Sequence, residues 1–159
     1  MTTRAEESGT LAAIRRILLF VLVVGLAGVG TELLFQRHFE DPSQLIPLAL
    51  IGVALATLLW HRIRGGAGTI RILQITMAFF IASGLLGMYL HFGANVEFQR
   101  EVEPSLGGVA LFWKAMAAKT PPALAPGSMV QLGLIGLAYT YRHPAVTGAS
   151  IAGATTRRA

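Results

Sequence analysis

The chain has 159 residues, of which 53% are hydrophobic and 13% charged, with a net charge of +5 and a mean hydropathy of +0.60. So few charged side chains exclude an ordinary soluble globular protein. The 13 basic residues are spread over short segments, which argues against nucleic-acid binding, and the absence of cysteine excludes disulfides, thiolate metal sites and cysteine catalysis.

Four apolar runs dominate the sequence, and each is close to the roughly 20 residues that cross a bilayer core. They predict transmembrane helices over about 17–35, 45–60, 70–92 and 123–141. The first run is longer than the apolar region of a signal peptide, so we expect it to remain as a span. The predicted fold class is all-α: a single integral membrane domain, 1–159, that forms a four-helix bundle.

The connections between the runs differ in length. Asp41–Ser43 predicts a turn into the second helix, and Gly65–Gly68 predicts a short turn into the third. The outer loop 93–122 is long, and its apolar residues predict a helix over 105–118 that lies in the outer membrane interface or folds onto the bundle. The small-residue tail 145–159 is predicted to be disordered.

The basic residues separate by segment, which predicts an orientation. Nine of the 13 lie in the N-terminal segment, the second connection and the tail, and four lie in the first and third connections. Since basic residues accumulate on the cytoplasmic side, we expect both termini to be cytoplasmic, in a bacterial inner membrane. The nine are Arg4, Arg15, Arg16, Arg62, Arg64, Arg71, Arg142, Arg157 and Arg158.

Small residues recur three or four positions apart within the runs, and each pair shares one helix face. Such faces let helix backbones approach closely in lipid, where water exclusion does not drive association. We expect these faces to pack the chain's own helices together. The alternative is docking of a partner protein, since four helices cannot bury every face at once. The pairs are Gly25 with Gly28, Gly52 with Ala56, Ala78 with Ala82, Ser83 with Gly87, and Gly133 with Gly136.

Glu32 is the most costly residue within the apolar runs, because a carboxylate in hydrocarbon must be protonated, paired or hydrated. It lies about 22 Å along the first helix from Ile17, toward the outer side. Ser83 and Gln131 lie at comparable depths, so the three are predicted to form a polar intramembrane cluster. Two interpretations stay open: a proton or substrate site, and structural hydrogen bonding that fixes the helix register.

The four histidines are predicted at helix ends, His38 and His91 on the outer side of the membrane and His61 and His143 on the inner side. This position favours interfacial anchoring over haem ligation, which uses residues within the spans. The outer side also offers nitrogen and oxygen ligands for a metal, although no local ligand spacing supports a site. These candidate ligands are His38, Asp41, His91 and Glu97.

The sequence contains no catalytic constellation, so an enzyme is not favoured, and it identifies no cofactor. We expect a non-catalytic accessory or assembly subunit of a larger membrane complex. Its expected partners are membrane lipids and other membrane subunits or copies of itself. The alternative is a small proton-coupled transporter or carrier that uses Glu32.

Overall fold

The computed structural model describes residues 4–37, 42–119, 121 and 123–147. All the regular secondary structure within these ranges is helical. A single 3-10 turn, Pro42–Gln44, precedes the second helix, and one further helical turn covers 144–147. The α-helices are α1 (Arg4–Phe35), α2 (Leu45–Arg64), α3 (Ala67–Val102), α4 (Gly108–Met116) and α5 (Leu124–Thr140).

Three segments are long and apolar enough to cross a membrane: Gly9–Phe35, Pro42–Arg64 and Ala67–Val102. They expose large apolar side chains such as Phe20 and Phe79, at 68% and 58% of their surface. A soluble chain rarely exposes contiguous apolar surface of this kind, whereas lipid solvates it. The predicted fourth run forms α5, which has 17 residues and is about 25 Å long.

The beginnings of α2 and α3 follow from proline and glycine. Pro47 lies in the first turn of α2, where a missing backbone N–H costs no helical hydrogen bond. The turn between α2 and α3 consists of Gly65 and Gly66 alone, with φ of +65° and +108°. Side chains are strained at these angles, so glycine makes the two-residue turn possible.

The third helix is longer than the sequence pattern indicated. The predicted span ends near residue 92, and α3 continues for ten residues beyond it to Val102. Gly93 does not interrupt it. The helix ends two residues before Pro104, because the residue that precedes a proline avoids helical backbone angles. That residue, Glu103, has a φ of −140°.

Helix α4 folds back onto the end of α3. It covers Gly108–Met116, within the predicted 105–118, and buries Leu111 and Ala115. The Nδ2 atom of Asn95 donates a hydrogen bond to the Ala115 carbonyl oxygen at 3.1 Å. The predicted outer loop is therefore partly the end of α3 and partly this short helix.

Consecutive long helices run in opposite directions, and α5 runs opposite to α3. The most extensive contact joins α3 to α5, followed by α2 with α3 and α1 with α5, whereas α1 and α2 touch less. Apolar side chains from all four helices meet in one core. It includes Leu22, Leu26, Leu33, Ile51, Ala54, Leu58, Ile70, Leu73, Met77, Phe80, Met129, Leu132 and Tyr139.

Glycines make the α3–α5 contact possible. A Cβ atom on Gly84 would lie 2.6 Å from the Pro126 carbonyl oxygen, and one on Gly133 would lie 2.8 Å from that of Met77. These contacts are with backbone, which cannot rotate away, so the two helices approach at van der Waals distance only because both residues lack a side chain. A Cβ atom on Gly136 would likewise overlap the Met77 side chain.

Other predicted small-residue faces are open. Among the described residues, no atom lies within 4 Å of a Cβ atom built on Gly28 or Gly52. Gly52 and Ala56 are both exposed on α2, and Ala78 and Ala82 are both exposed on α3. Within the described chain, these faces are therefore not used for packing between its own helices.

Candidate functional site

A cavity of about 260 Å³ lies where α1 ends and α5 begins, at what we call the Glu32 end. All four long helices contribute to its wall. Most of the wall is apolar, with side chains such as Val29, Leu33 and Met129. The polar side chains of the wall are those of Glu32, Gln36, Ser83, His91 and Lys119.

Glu32 reaches the cavity from the last turn of α1. Its Oε1 atom accepts a hydrogen bond from Nε2 of Gln36 at 3.0 Å, one helical turn further on. Lys119 lines the same cavity from the segment that precedes α5. Both side chains lie in the described part of the chain, and no ion pair joins them. The cavity therefore presents an acidic and a basic group that do not neutralise each other directly.

A groove of about 520 Å³ adjoins the cavity and runs between α2 and α3. Its wall is mainly apolar, and its side chains at Phe79, Leu86 and Leu90 are more than half exposed. The groove and the cavity have a common wall. Four residues line both: Pro47, Ser83, Gly87 and His91.

The structure brings two of the three predicted cluster residues to the cavity. Glu32 and Ser83 line it together, whereas Gln131 is exposed on α5 and is not among its lining residues. Met129 and Leu132 are the buried residues on either side of Gln131, and they turn it away from the core. Depth along the helix was comparable for all three, but depth does not fix the rotation of α5.

The predicted metal ligands are not assembled in the described residues. His91 lines the cavity and the groove, whereas Glu97 lies further along α3 beside Arg100 and Glu101. His38 and Asp41 lie outside the described residues. In the described ranges, no three histidine, aspartate or glutamate side chains are placed to hold a metal ion.

At the opposite end of the molecule, Arg15 of α1 binds the chain that follows α5. We call this end the Arg15 end. The Nη2 atom of Arg15 donates hydrogen bonds to the carbonyl oxygens of Tyr141 and Arg142, at 3.4 and 3.1 Å. These oxygens follow the last turn of α5, where backbone carbonyls lack helical partners. A guanidinium at this position also complements the negative end of the helix dipole.

Two histidines meet at the Arg15 end. The rings of His61 on α2 and His143 after α5 lie edge to face, with centroids 5.2 Å apart. Thr69 donates its hydroxyl proton to the Gly66 carbonyl, so Nδ1 of His61, 2.6 Å from the Thr69 oxygen, is the donor of that second hydrogen bond. This bond ties the end of α2 to the start of α3.

The surroundings of His143 disfavour its charged form. Its Nδ1 atom accepts a hydrogen bond from the Ala145 backbone N–H at 3.3 Å. Burial lowers the pKa of His143 below the ordinary value of 6.5, and the positive charges of His61 and Arg15 lower it further. A proton on this ring would lose solvation and face two like charges.

The sequence interpretation missed two of the cavity side chains, although signals for both were present. Gln36 follows Glu32 by four residues, the spacing that places side chains together on a helix. Lys119 lies just before Pro121, at the start of the fourth apolar run, and therefore at the same end as Glu32. The sequence did place His61 and His143 at one end, and the structure brings their rings together.

No protein-family model, curated protein or solved structure matches this chain. Its function is therefore inferred from geometry and charge. Two features are candidates for a functional site: the charged cavity of the Glu32 end, and the small-residue face of α2 at Gly52 and Ala56.

Proposed function

We propose that the chain is a multi-pass integral membrane protein in which α1, α2, α3 and α5 form a four-helix bundle. The Arg15 end lies on the cytoplasmic side with both termini, and the Glu32 end lies outside. This arrangement is supported by three long apolar helices, by the antiparallel contact of α5 with α3, and by the excess of basic residues in the segments of the Arg15 end.

Helix α4 is proposed to lie in the outer membrane interface. Its exposed side chains include Val109, Phe112 and Trp113, which suit the boundary between lipid tails and head groups. Lys114, the one charged residue of α4, forms an ion pair with Glu103, with a distance of 2.5 Å between Nζ and Oε2. Exposed apolar and aromatic side chains beside a lysine suit a helix at the membrane interface.

The proposed role is non-catalytic: the protein assembles with other membrane subunits or with copies of itself. The observation that carries this proposal is the exposed face of α2 at Gly52 and Ala56. Where small residues lie between the chain's own helices, as at Gly84 and Gly133, the neighbouring helix packs directly against them. The α2 face has the same composition but no occupant among the described residues, and a helix from another chain would fill it.

Two differently tagged copies, purified together and separately in mild detergent, test this role. The wild type should retain either its second copy or a defined membrane subunit in fixed ratio. Gly52→Leu and Ala56→Leu should release that partner while the thermal midpoint of the purified chain stays unchanged. Gly93→Leu, a glycine in equally open space on α3, is the matched control and should retain the partner. A wild-type chain that purifies alone contradicts the proposal.

A carrier that uses Glu32 is a second candidate, because Glu32 and Ser83 line a cavity that is large enough for a small ligand. An acidic side chain in such a place can take up and release a proton during transport. Glu32→Gln keeps the shape and removes the charge. It should abolish proton-dependent uptake or efflux, whereas unchanged transport would exclude this candidate.

A further inference from the structure

The apolar groove and the charged cavity of the Glu32 end together have the shape and chemistry of a lipid site. They share the wall formed by Pro47, Ser83, Gly87 and His91. Ser83 and Gly87 are small, so little side-chain volume on α3 separates the two spaces. A single molecule with an apolar chain and a polar head group could therefore occupy both.

The groove is longer than half of a bilayer core. Its α3 wall extends from Phe79 to Ala94, about 22 Å along the helix axis. Half of a bilayer core is about 15 Å thick, so one acyl chain would run along the groove from the Glu32 end toward the middle of the membrane. The exposed side chains of Ile46, Phe79 and Leu86 would contact it.

The cavity supplies charges of both signs for the head group. Glu32 has one carboxylate oxygen bonded to Gln36, and its other oxygen can accept a bond from a cation. Lys119 provides an ammonium group that can bind a phosphate. Because Glu32 and Lys119 form no ion pair with each other, a zwitterionic head group that bridges them satisfies both at once.

The cavity wall also distinguishes between two kinds of zwitterion. A quaternary ammonium such as choline is usually bound over the faces of aromatic rings. Within the described chain, the residues that line this cavity include no Phe, Tyr or Trp. A primary ammonium can instead donate hydrogen bonds directly to a carboxylate, which is the group that Glu32 provides.

We propose that the Glu32 end binds one phospholipid with a primary ammonium head group, of the phosphatidylethanolamine type. Its ammonium contacts Glu32, its phosphate contacts Lys119, and one acyl chain lies in the groove between α2 and α3. This inference rests on the membrane placement proposed above. It does not depend on whether the chain is an assembly subunit or a carrier.

Native mass spectrometry of the delipidated protein tests the site. The protein is titrated with dioleoyl-phosphatidylethanolamine, with the corresponding phosphatidylcholine and with the corresponding phosphatidylglycerol. The ethanolamine lipid should bind about tenfold more tightly than the choline lipid, the difference expected for one charge-assisted hydrogen bond. Equal affinity for the two zwitterionic lipids, or preference for the anionic lipid, would overturn the proposal.

Matched variants assign the contacts. Glu32→Gln should reduce binding of the ethanolamine lipid to the level of the choline lipid. Glu97→Gln removes the same charge from α3, at a position that does not line the cavity, and should have no effect. Lys119→Gln should weaken both zwitterionic lipids equally, and Arg100→Gln is its control. Identical behaviour of Glu32→Gln and Glu97→Gln would contradict the assignment.

A groove variant provides a test that does not involve the charged residues. Ala82 is exposed on the groove wall, so Ala82→Trp should fold normally yet fill the path of the acyl chain. Binding of all three lipids should then be lost, and retained binding would exclude the groove. Extraction of the wild type from membranes by alkaline carbonate would refute the membrane placement itself. A chain that resists carbonate but shows no head-group preference would refute only the lipid site.

Discussion

The α3–α5 interface and the outward face of α2 contain the same type of small residue in different surroundings. At the interface, Gly84 and Gly133 lie so close to the opposite backbone that no side chain fits. On α2, Gly52 has open space around it. In the described part of the chain, a small-residue face is therefore either a close contact between its own helices or an exposed surface, and substitution distinguishes the two.

The largest effect is expected from Gly84→Leu. Its side chain would collide with the Pro126 carbonyl and with the backbone and side chain of Val130, so α3 and α5 would have to separate. Overpacking of this kind costs about 3 kcal/mol or more. Thermal unfolding in detergent should show a large drop in midpoint or no folded protein. A midpoint equal to that of the wild type would contradict the close α3–α5 contact.

A smaller loss is expected from Arg15→Met, which keeps the apolar stem and removes the guanidinium. The variant leaves the carbonyls of Tyr141 and Arg142 without their partner on α1. Because Arg15 is partly exposed, the expected cost is about 1–2 kcal/mol. Arg16→Met is the control, since Arg16 is exposed at the same depth and should change the free energy of unfolding little.

The pH dependence of stability tests the histidine contact at the Arg15 end. The pKa of His143 is lower in the folded than in the unfolded protein, so the unfolded state binds the extra proton first as the pH falls. Stability is full above about pH 6.5 and decreases as the pH falls through that value toward the folded-state pKa. The thermal midpoint should therefore fall between pH 7.5 and 5.5, and fall less in His143→Gln. An equal fall in both would contradict the assignment.

The smallest effect on stability is expected from Gly52→Ala. A Cβ atom there contacts no atom of the described part of the chain, and alanine favours helix over glycine. The free energy of unfolding should remain within about 1 kcal/mol of the wild type, on the stabilising side. A loss of the size expected at Gly84 would show that the face of α2 is occupied within the chain itself.

Local sequence signals accounted for much of the fold. Apolar runs placed the helices, and Pro42 and Gly65 lie where the connections begin or end. The end of α3 was missed by ten residues, since hydropathy marks where a helix leaves the membrane and not where its backbone hydrogen bonds stop. Pro104 was the better signal.

The site was less accessible to prediction. Glu32 and Ser83 could be matched by depth, but the position of Gln131 depends on the rotation of α5, which the fit of Gly133 against Met77 and Ile81 determines. Lys119 reaches the cavity because the chain turns back after α4, a long-range arrangement that no local pattern encodes. For His38 and Asp41, which lie outside the described residues, the metal site stays a prediction.

Whether α5 crosses the membrane beside α3 decides the proposed bundle most directly, and the absence of cysteine makes it measurable. Single cysteines are introduced at Ser43, Ser105, Gly68 and Thr155. Gly68, in the first turn of α3, is chosen over Gly66 because the positive φ of Gly66 would strain a cysteine. In intact cells, an impermeant thiol reagent should label the cysteines at Ser43 and Ser105 and leave those at Gly68 and Thr155 unlabelled until the membrane is opened. Labelling at Thr155 together with Ser105 would mean that α5 does not cross, and would contradict the four-helix membrane bundle.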